Sequence, residues 1–135
     1  MLSFVKLVFD RKFDMGASLG RLVIYTKKMN SMIAFYGQHF GYEMHKNEGD
    51  RIIEMRPPQV DMPLLLHPAS KGQKEGQSLI KLVFDVKEVS AFCEKAKARG
   101  LIFGKVHQAD GYVFANAKDP SNNAIQVSSR AFISS

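Results

Sequence analysis

The chain has 135 residues, 45% of them apolar and 24% charged, which is the balance of one globular domain with a buried core. Its single cysteine excludes an internal disulfide, and its net charge of +6 favours anionic partners, although the basic residues are too scattered to predict nucleic-acid binding. No apolar run approaches the roughly 20 residues that span a bilayer, and charges interrupt the N-terminus, so we expect a cytoplasmic protein without membrane contact.

The first half of the chain predicts one strand, one helix and three more strands. Residues 21–26 are rich in β-branched and aromatic side chains, which is typical of a strand. Asn30 or Ser31 is a suitable helix N-cap, and Gly41 suits a left-handed C-cap. Turn residues then separate three short predicted strands, over 42–47, 51–56 and 63–67.

The same order returns after a polar, glycine-rich loop over 68–77. The predicted elements are a strand over 79–86, a helix over 87–99 capped by Gly100, and strands over 101–106, 112–117 and 124–128. The two halves repeat at an offset of about 60 residues, and such a duplication is a strong architectural signal. We therefore predict an α+β domain of two tandem βαβββ modules, in which a curled mixed sheet surrounds a cleft and the helices cover its outer face.

The domain boundaries follow from this repeat. The domain takes residues 20–129, with modules over 20–67 and 79–129, and leaves a short tail over 130–135. The N-terminal extension over 1–19 contains a near copy of residues 80–85, because residues 5–10 read Val-Lys-Leu-Val-Phe-Asp and residues 80–85 read Ile-Lys-Leu-Val-Phe-Asp. We expect an extra edge strand or a lead without regular structure there, and a strand that pairs with another chain is the alternative.

Three segments in this order resemble the glyoxalase / bleomycin-resistance / extradiol-dioxygenase (vicinal oxygen chelate) superfamily. Residues 22–36 with Gly41-Tyr42-Glu43 are similar to its first strand, its helix with a Phe-Tyr pair and the exit of that helix. Residues 81–100 are similar to the strand and helix of the second module. Residues 119–126 are similar to its closing Asp-Pro-x-Gly-Asn-x-Ile-Glu turn and last strand, with Asn122 in place of glycine, a residue that also enters the left-handed region.

The resemblance implies a divalent metal held by the first and last strand of each module. The equivalent positions here are Arg21, Leu66 (or Leu64), Lys81 and Gln126. Arginine and lysine are cationic and leucine has no donor atom, so only Gln126 offers an oxygen. We therefore expect no metal cofactor. Among the histidines, His67 lies one residue from a ligand position, and a one-residue shift of register would turn it into the cleft.

Strand alternation places the candidate binding residues on the cleft face: Arg21, Tyr25, Lys81, Asp85 and Gln126. Arg21 and Lys81 would form an anion site, since guanidinium and ammonium groups bind carboxylate or phosphate. The alternative is that Asp85 and Glu54 neutralise these cations within the protein. Tyr25, Tyr112 and Phe114 would supply apolar walls, and a place in the core is the equal alternative for Phe114. Cys93 falls on the apolar side of its helix, which favours a packed thiol over a catalytic one.

The resemblance and these residues together predict a homodimeric, metal-free protein that binds a small anionic or aromatic molecule in its cleft. A metal-dependent lyase, isomerase or dioxygenase of the glyoxalase type is the second hypothesis. A structural module whose cleft is filled by its own paired side chains is the third. No cofactor, nucleic acid or membrane is expected as a partner.

Overall fold

The computed structural model describes residues 16–133, which fold as two βαβββ modules in tandem. The N-terminal copy of the 80–85 sequence lies outside the described residues, and residues 16–20 have no regular structure. The two modules form two separate four-stranded mixed sheets and not one closed barrel. The predicted α+β class and module repeat are therefore confirmed.

The first module contains one helix and four strands. The elements are β1 Leu22–Thr26, α1 Met29–Phe40, β2 Glu43–His45, β3 Ile53–Arg56 and β4 Leu64–Pro68. The sheet order is β1-β4-β3-β2, with β1 parallel to β4 and the remaining pairs antiparallel. Strand β1 therefore lies at an edge of its sheet, and so does β2.

The second module repeats this arrangement. The elements are β5 Lys81–Asp85, α2 Val89–Ala98, β6 His107–Gln108, β7 Val113–Lys118 and β8 Ala124–Ser128, followed by a 3₁₀ turn over Arg130–Phe132. The sheet order β5-β8-β7-β6 matches that of the first module, with β5 parallel to β8. Strand β5 is the edge strand that corresponds to β1.

Most predicted elements end within two residues of the observed ones, and two differences have a clear physical cause. Helix α1 begins at Met29 and not after Asn30, because the Thr26 hydroxyl accepts the Lys28 N–H at 2.9 Å and turns the chain into the helix two residues earlier. The strand predicted over 101–106 is wrong, since only His107–Gln108 pairs with β7. Leu101 is buried and its N–H bonds back to the Ala96 carbonyl, so this apolar run ends the helix and does not extend the sheet.

The helix-covered sides of both sheets share one core. The Phe40 ring of α1 stacks on the Phe84 ring of β5, with centroids 4.0 Å apart. Buried polar groups join the modules as well, since the hydroxyls of Thr26 and Ser121 lie 2.7 Å apart. This inter-module packing fixes the position of each sheet.

On the opposite side of each sheet, called here the open face, no helix of the described residues 16–133 covers the strands. Burial alternates along the edge strands: Ile24 is buried between exposed Val23 and Tyr25, and Lys81, Val83 and Asp85 are exposed. Alternation of this kind separates a core side from a side available to a ligand. No helix among residues 16–133 is long and apolar enough to cross a membrane.

Candidate functional site

A polar cluster occupies the open face of the second sheet. The Asn116 side-chain oxygen accepts one hydrogen bond from the Lys81 ammonium at 3.1 Å and another from the Gln126 amide at 2.9 Å. The sheet register explains the cluster, because Asn116 pairs with Gln126 across β7 and β8, and β5 adds Lys81 beside β8. One ammonium hydrogen is used in this way, so the others remain available to an anion.

An aromatic row continues from this cluster along the same face. The rings of Phe114 and His107 stack at 5.1 Å with an interplanar angle of 20°, and Tyr112 lies 6.1 Å from Phe114. Arg130 closes the row, with its guanidinium carbon 5.3 Å from the centre of the Tyr112 ring and a 3.1 Å hydrogen bond to the Tyr112 hydroxyl. Flat rings beside hydrogen-bond donors suit a planar ligand with a polar substituent.

Asp85 does not neutralise the cationic side chains, contrary to the second interpretation of the sequence. Within residues 16–133 the one ion pair below 4.0 Å joins Arg56 to Glu54, at 3.3 Å. Lys81 instead bonds the neutral amide of Asn116. Glu54, the other acid expected to act as a counter-charge, is therefore engaged with a different arginine. The Lys81 charge is held in place without being cancelled by a carboxylate.

Arg21 lies on the other sheet, where it lines a hollow of about 310 Å³. His45, Asp50 and Glu54 share this hollow, but among residues 16–133 neither acid forms an ion pair with Arg21 below 4.0 Å. Tyr25 is near the opposite end of β1 and contacts the His67 ring at 4.9 Å. The structure thus brings Lys81 and Gln126 together, whereas Arg21 and Tyr25 belong to a separate group of side chains on the first module.

The assignment of Leu66 or Leu64 to a metal-ligand position on the cleft face is wrong. Both side chains point into the core, with 0% and 4% of their surface exposed. Leu65 and His67 alternate with them and lie on the open face, where Leu65 lines the hollow around Arg21. The run of three leucines concealed this shift, because an unbroken apolar segment gives no alternation from which to assign a face.

A second hollow, of about 320 Å³, lies between β1, the linker that joins the modules and the start of β5. Glu75 of the linker lines it and accepts the Lys27 N–H at 2.9 Å. Burial raises the pKa of Glu75, but the Ser121 side chain, the Lys27 N–H and the charges of Lys28 and Lys27 lower that pKa by more. Glu75 therefore anchors the linker to the end of β1 as a carboxylate.

The residues at the metal positions do not fit a divalent ion. With the register corrected, these positions hold Arg21, Leu65, Lys81 and Gln126, which supply two cations, one apolar group and one neutral oxygen. No group of three or more histidine, cysteine or acidic residues in the described part of the chain is placed to hold a metal. This donor set is the reverse of what a divalent cation needs.

Three residues of the site were missed by sequence reasoning, namely Asn116, His107 and Arg130. A signal existed for Asn116, because it lies two residues after Phe114 on the same strand and must share its face. His107 follows the segment wrongly predicted as a strand over 101–106, and that error hid its pairing with Phe114. Nothing in the sequence signals the contact of Arg130 with Tyr112, which depends on the 3₁₀ turn after β8.

Solved structures of known proteins share this fold. The antibiotic-binding protein TnmS3 from Streptomyces sp. CB03234 is 17% identical, with a TM-score of 0.69 over 83% of this chain and 94% of its own. Lactoylglutathione lyase from Agrobacterium tumefaciens is 20% identical, with a TM-score of 0.64 over 84% and 93%. The fosfomycin resistance protein FosX from Listeria monocytogenes, complexed with Mn(II) and 1S,2S-dihydroxypropylphosphonic acid, is 16% identical, with a TM-score of 0.66 over 85% and 91%.

These likenesses establish the fold but not an activity. A search of curated proteins gives no match. The family profile described as Glyoxalase/Bleomycin resistance protein/Dioxygenase superfamily matches residues 18–127, which is most of the chain and includes both modules. The protein therefore belongs to the glyoxalase / bleomycin-resistance / dioxygenase superfamily.

Proposed function

We propose that this protein binds a small anionic or aromatic molecule on the open face of its second sheet, without a divalent metal. The observation that carries the proposal is the Lys81–Asn116–Gln126 cluster beside the stacked rings of Phe114 and His107. A planar ring would lie against the aromatic row, and its carboxylate or phosphonate would accept hydrogen bonds from the ammonium.

The fixed position of Lys81 favours binding. A flexible lysine loses side-chain entropy when it contacts a ligand, whereas this ammonium is already held at 3.1 Å from the Asn116 oxygen. Gln126 is held by the same oxygen, at 2.9 Å, so both donors are arranged before the ligand arrives. Two of the similar structures support the small-molecule part of the proposal, since TnmS3 is an antibiotic-binding protein and FosX was solved with a phosphonic acid, in that case together with Mn(II).

Calorimetric titration with 2-naphthoate tests the proposal, with naphthalene-2-methanol as the uncharged probe. We expect Lys81→Met to weaken 2-naphthoate binding by about tenfold, close to 1.4 kcal/mol, and to leave the uncharged probe unaffected. Lys97→Met is the matched control, because Lys97 is an exposed lysine of α2, on the helix side of the protein. Equal dissociation constants for Lys81→Met and Lys97→Met would contradict the proposal.

Elemental analysis of protein purified without chelators tests the metal-free part separately. We expect less than 0.1 equivalents of any divalent transition metal, because two of the four relevant side chains are cationic. One equivalent of manganese, zinc or iron that is lost in Gln126→Ala would instead support the metal-dependent enzyme of the second hypothesis.

We also propose that the protein is a homodimer in which a second copy covers the edge of β1. Val23 and Tyr25 of this edge strand are 44% and 47% exposed on the open face, and unpaired strand edges with apolar side chains promote association. Sedimentation velocity should give twice the mass of the chain. Replacement of Val23 by Lys should shift the protein towards the monomer, and an unchanged dimer would contradict this interface.

A further inference from the structure

The edge of β5 is open and carries apolar side chains. Strand β5 pairs with β8 on one side, and among residues 16–133 no strand pairs with its other side. Ile80 and Val83 are 63% and 51% exposed, and Leu79 is fully exposed. An uncovered apolar edge is a site of unwanted strand addition, and natural proteins cover such edges.

The backbone groups on this edge are ready to pair. The Val86 N–H bonds the Ser128 carbonyl of β8 at 2.9 Å, so every second residue counted back from Val86 directs its backbone groups towards β8. Lys81, Val83 and Asp85 are the residues in between, and their N–H and C=O groups point away from β8, to the unpaired edge of the sheet. The edge thus offers three residues to an added strand.

We propose that residues 6–10 of the same chain dock on this edge as an antiparallel strand. Residues 6–10 and 81–85 both read Lys-Leu-Val-Phe-Asp, and this five-residue sequence is complementary to itself when reversed. Val8 pairs with Val83, Lys6 with Asp85, and Asp10 with Lys81. Leu7 and Phe9 then cover Phe84 and Leu82 on the helix side, while the charged ends stay on the open face.

Charge selects the antiparallel direction. A parallel strand in the same register would place Lys6 against Lys81 and Asp10 against Asp85, and like charges on opposed strands are destabilising. The antiparallel strand replaces both repulsions by attractions. Strand β1 is a poorer partner, because Arg21 and Lys27 at its two ends are both cationic and Glu75 already accepts the Lys27 N–H.

The connection to β1 is long enough for docking within one chain. Residues 11–21 provide eleven residues, which extend to about 36 Å. A domain of this size has a radius of gyration of about 14 Å, so the connection can reach from β1 to either sheet. A second copy is therefore not needed to supply the strand.

Disulfide trapping in the full chain tests the docking. In a Cys93→Ser background, Val8→Cys and Val83→Cys place two thiols at directly opposed positions, with Cα atoms about 5.5 Å apart, within the range of a disulfide. Leu7→Cys with Val83→Cys is the matched control, since Leu7 points to the other side of the strand. We expect the 8–83 bond to form within one chain at least about tenfold faster than the 7–83 bond.

The products distinguish the alternatives. Equal trapping rates for the two pairs would overturn the docking. A bond formed only between two chains would overturn docking within one chain and assign the segment to the edge of a second copy. The double variant Lys6→Asp with Asp10→Lys should slow the 8–83 bond, because it reverses the charges at both ends, and an unchanged rate would overturn the antiparallel register.

Docking also places the Asp10 carboxylate beside the Lys81 ammonium, so that the segment competes with an anionic ligand. This consequence rests on the proposed function, whereas the trapping rates do not. The oxidised 8–83 protein should bind 2-naphthoate several-fold more weakly than the same protein after reduction. Rapid trapping with equal affinities in the two states would overturn the competition alone, and no binding in either state would point to a failure of the proposed function.

Discussion

The Tyr36 hydroxyl of α1 donates a 2.7 Å hydrogen bond to the Asp119 Oδ2 atom of the turn between β7 and β8. Both residues are buried, and Asp119 also accepts hydrogen bonds from the backbone N–H groups of Ser121 and Asn123 through Oδ1. Burial and the neighbouring Asp119 charge raise the pKa of Tyr36, so the hydroxyl remains a donor at all physiological pH values. This bond ties the first module to the closing turn of the second.

Loss of the Tyr36 hydroxyl should destabilise the protein. Tyr36→Phe leaves a buried carboxylate oxygen without its hydroxyl donor, and we expect the free energy of unfolding to fall by about 1–3 kcal/mol. Urea denaturation followed by circular dichroism measures this change. Tyr42→Phe is the matched control, because Tyr42 contacts the same aromatic cluster while its hydroxyl makes no hydrogen bond within residues 16–133. Equal midpoints for the two variants would contradict a stabilising role for the Tyr36–Asp119 bond.

The charge of Glu75 should make a pH-dependent contribution to the stability of the folded protein. Its pKa is lowered in the folded protein, so the stabilisation is present above the unfolded-state pKa of about 4.3 and is lost as the pH falls through the folded-state value. Glu75→Gln should therefore lower the thermal midpoint at pH 7 and have little effect near pH 3. Melting curves of both proteins from pH 3 to 7 measure the difference. A constant difference across this range would show that the Glu75 charge does not stabilise the linker.

Local backbone geometry was predictable from sequence, because it depends on single residues. Gly41 has the left-handed φ of 72° expected at a helix C-cap, and Asn122, which replaces the glycine of the turn motif that this segment resembles, has φ of 64°. The face of the sheet on which each side chain lies was harder to predict. The three leucines of β4 gave no alternation, so the cleft position was assigned to Leu66 and the structure gives it to Leu65.

Side-chain pairing across strands was the least predictable feature of the site. Asp85 lies on the same strand and face as Lys81, and proximity in sequence favoured an ion pair between them. The structure pairs Lys81 with Asn116, which is 35 residues away and reaches the ammonium only because β8 brings β7 close to β5. Such a contact follows from strand order, and the sequence predicted β5, β7 and β8 but not which side chains would meet across them.

The aromatic row predicts a preference for planar ligands. Phe114→Leu keeps the apolar character of the site but removes the ring that stacks on His107. We expect it to weaken 2-naphthoate binding by about two- to twelvefold, since aromatic pairs contribute about 0.5–1.5 kcal/mol beyond their buried area. Acetate, which has no ring, should bind both proteins equally. An equal loss for acetate and 2-naphthoate would mean that Phe114 supports the fold of the site and does not contact the ligand ring.

Asn122 provides a test of backbone strain at the closing turn. Its φ of 64° lies in the left-handed region, where asparagine is tolerated and alanine is strained. Asn122→Ala should lower the free energy of unfolding by about 1 kcal/mol, whereas Asn122→Gly should change it by less than about 0.5 kcal/mol, because glycine relieves the strain but loses more entropy on folding. Both variants remove the same exposed side chain, so each controls for the other. Urea denaturation of the two proteins measures the difference, and equal losses of stability would mean that the side chain of Asn122, and not its backbone conformation, holds the turn.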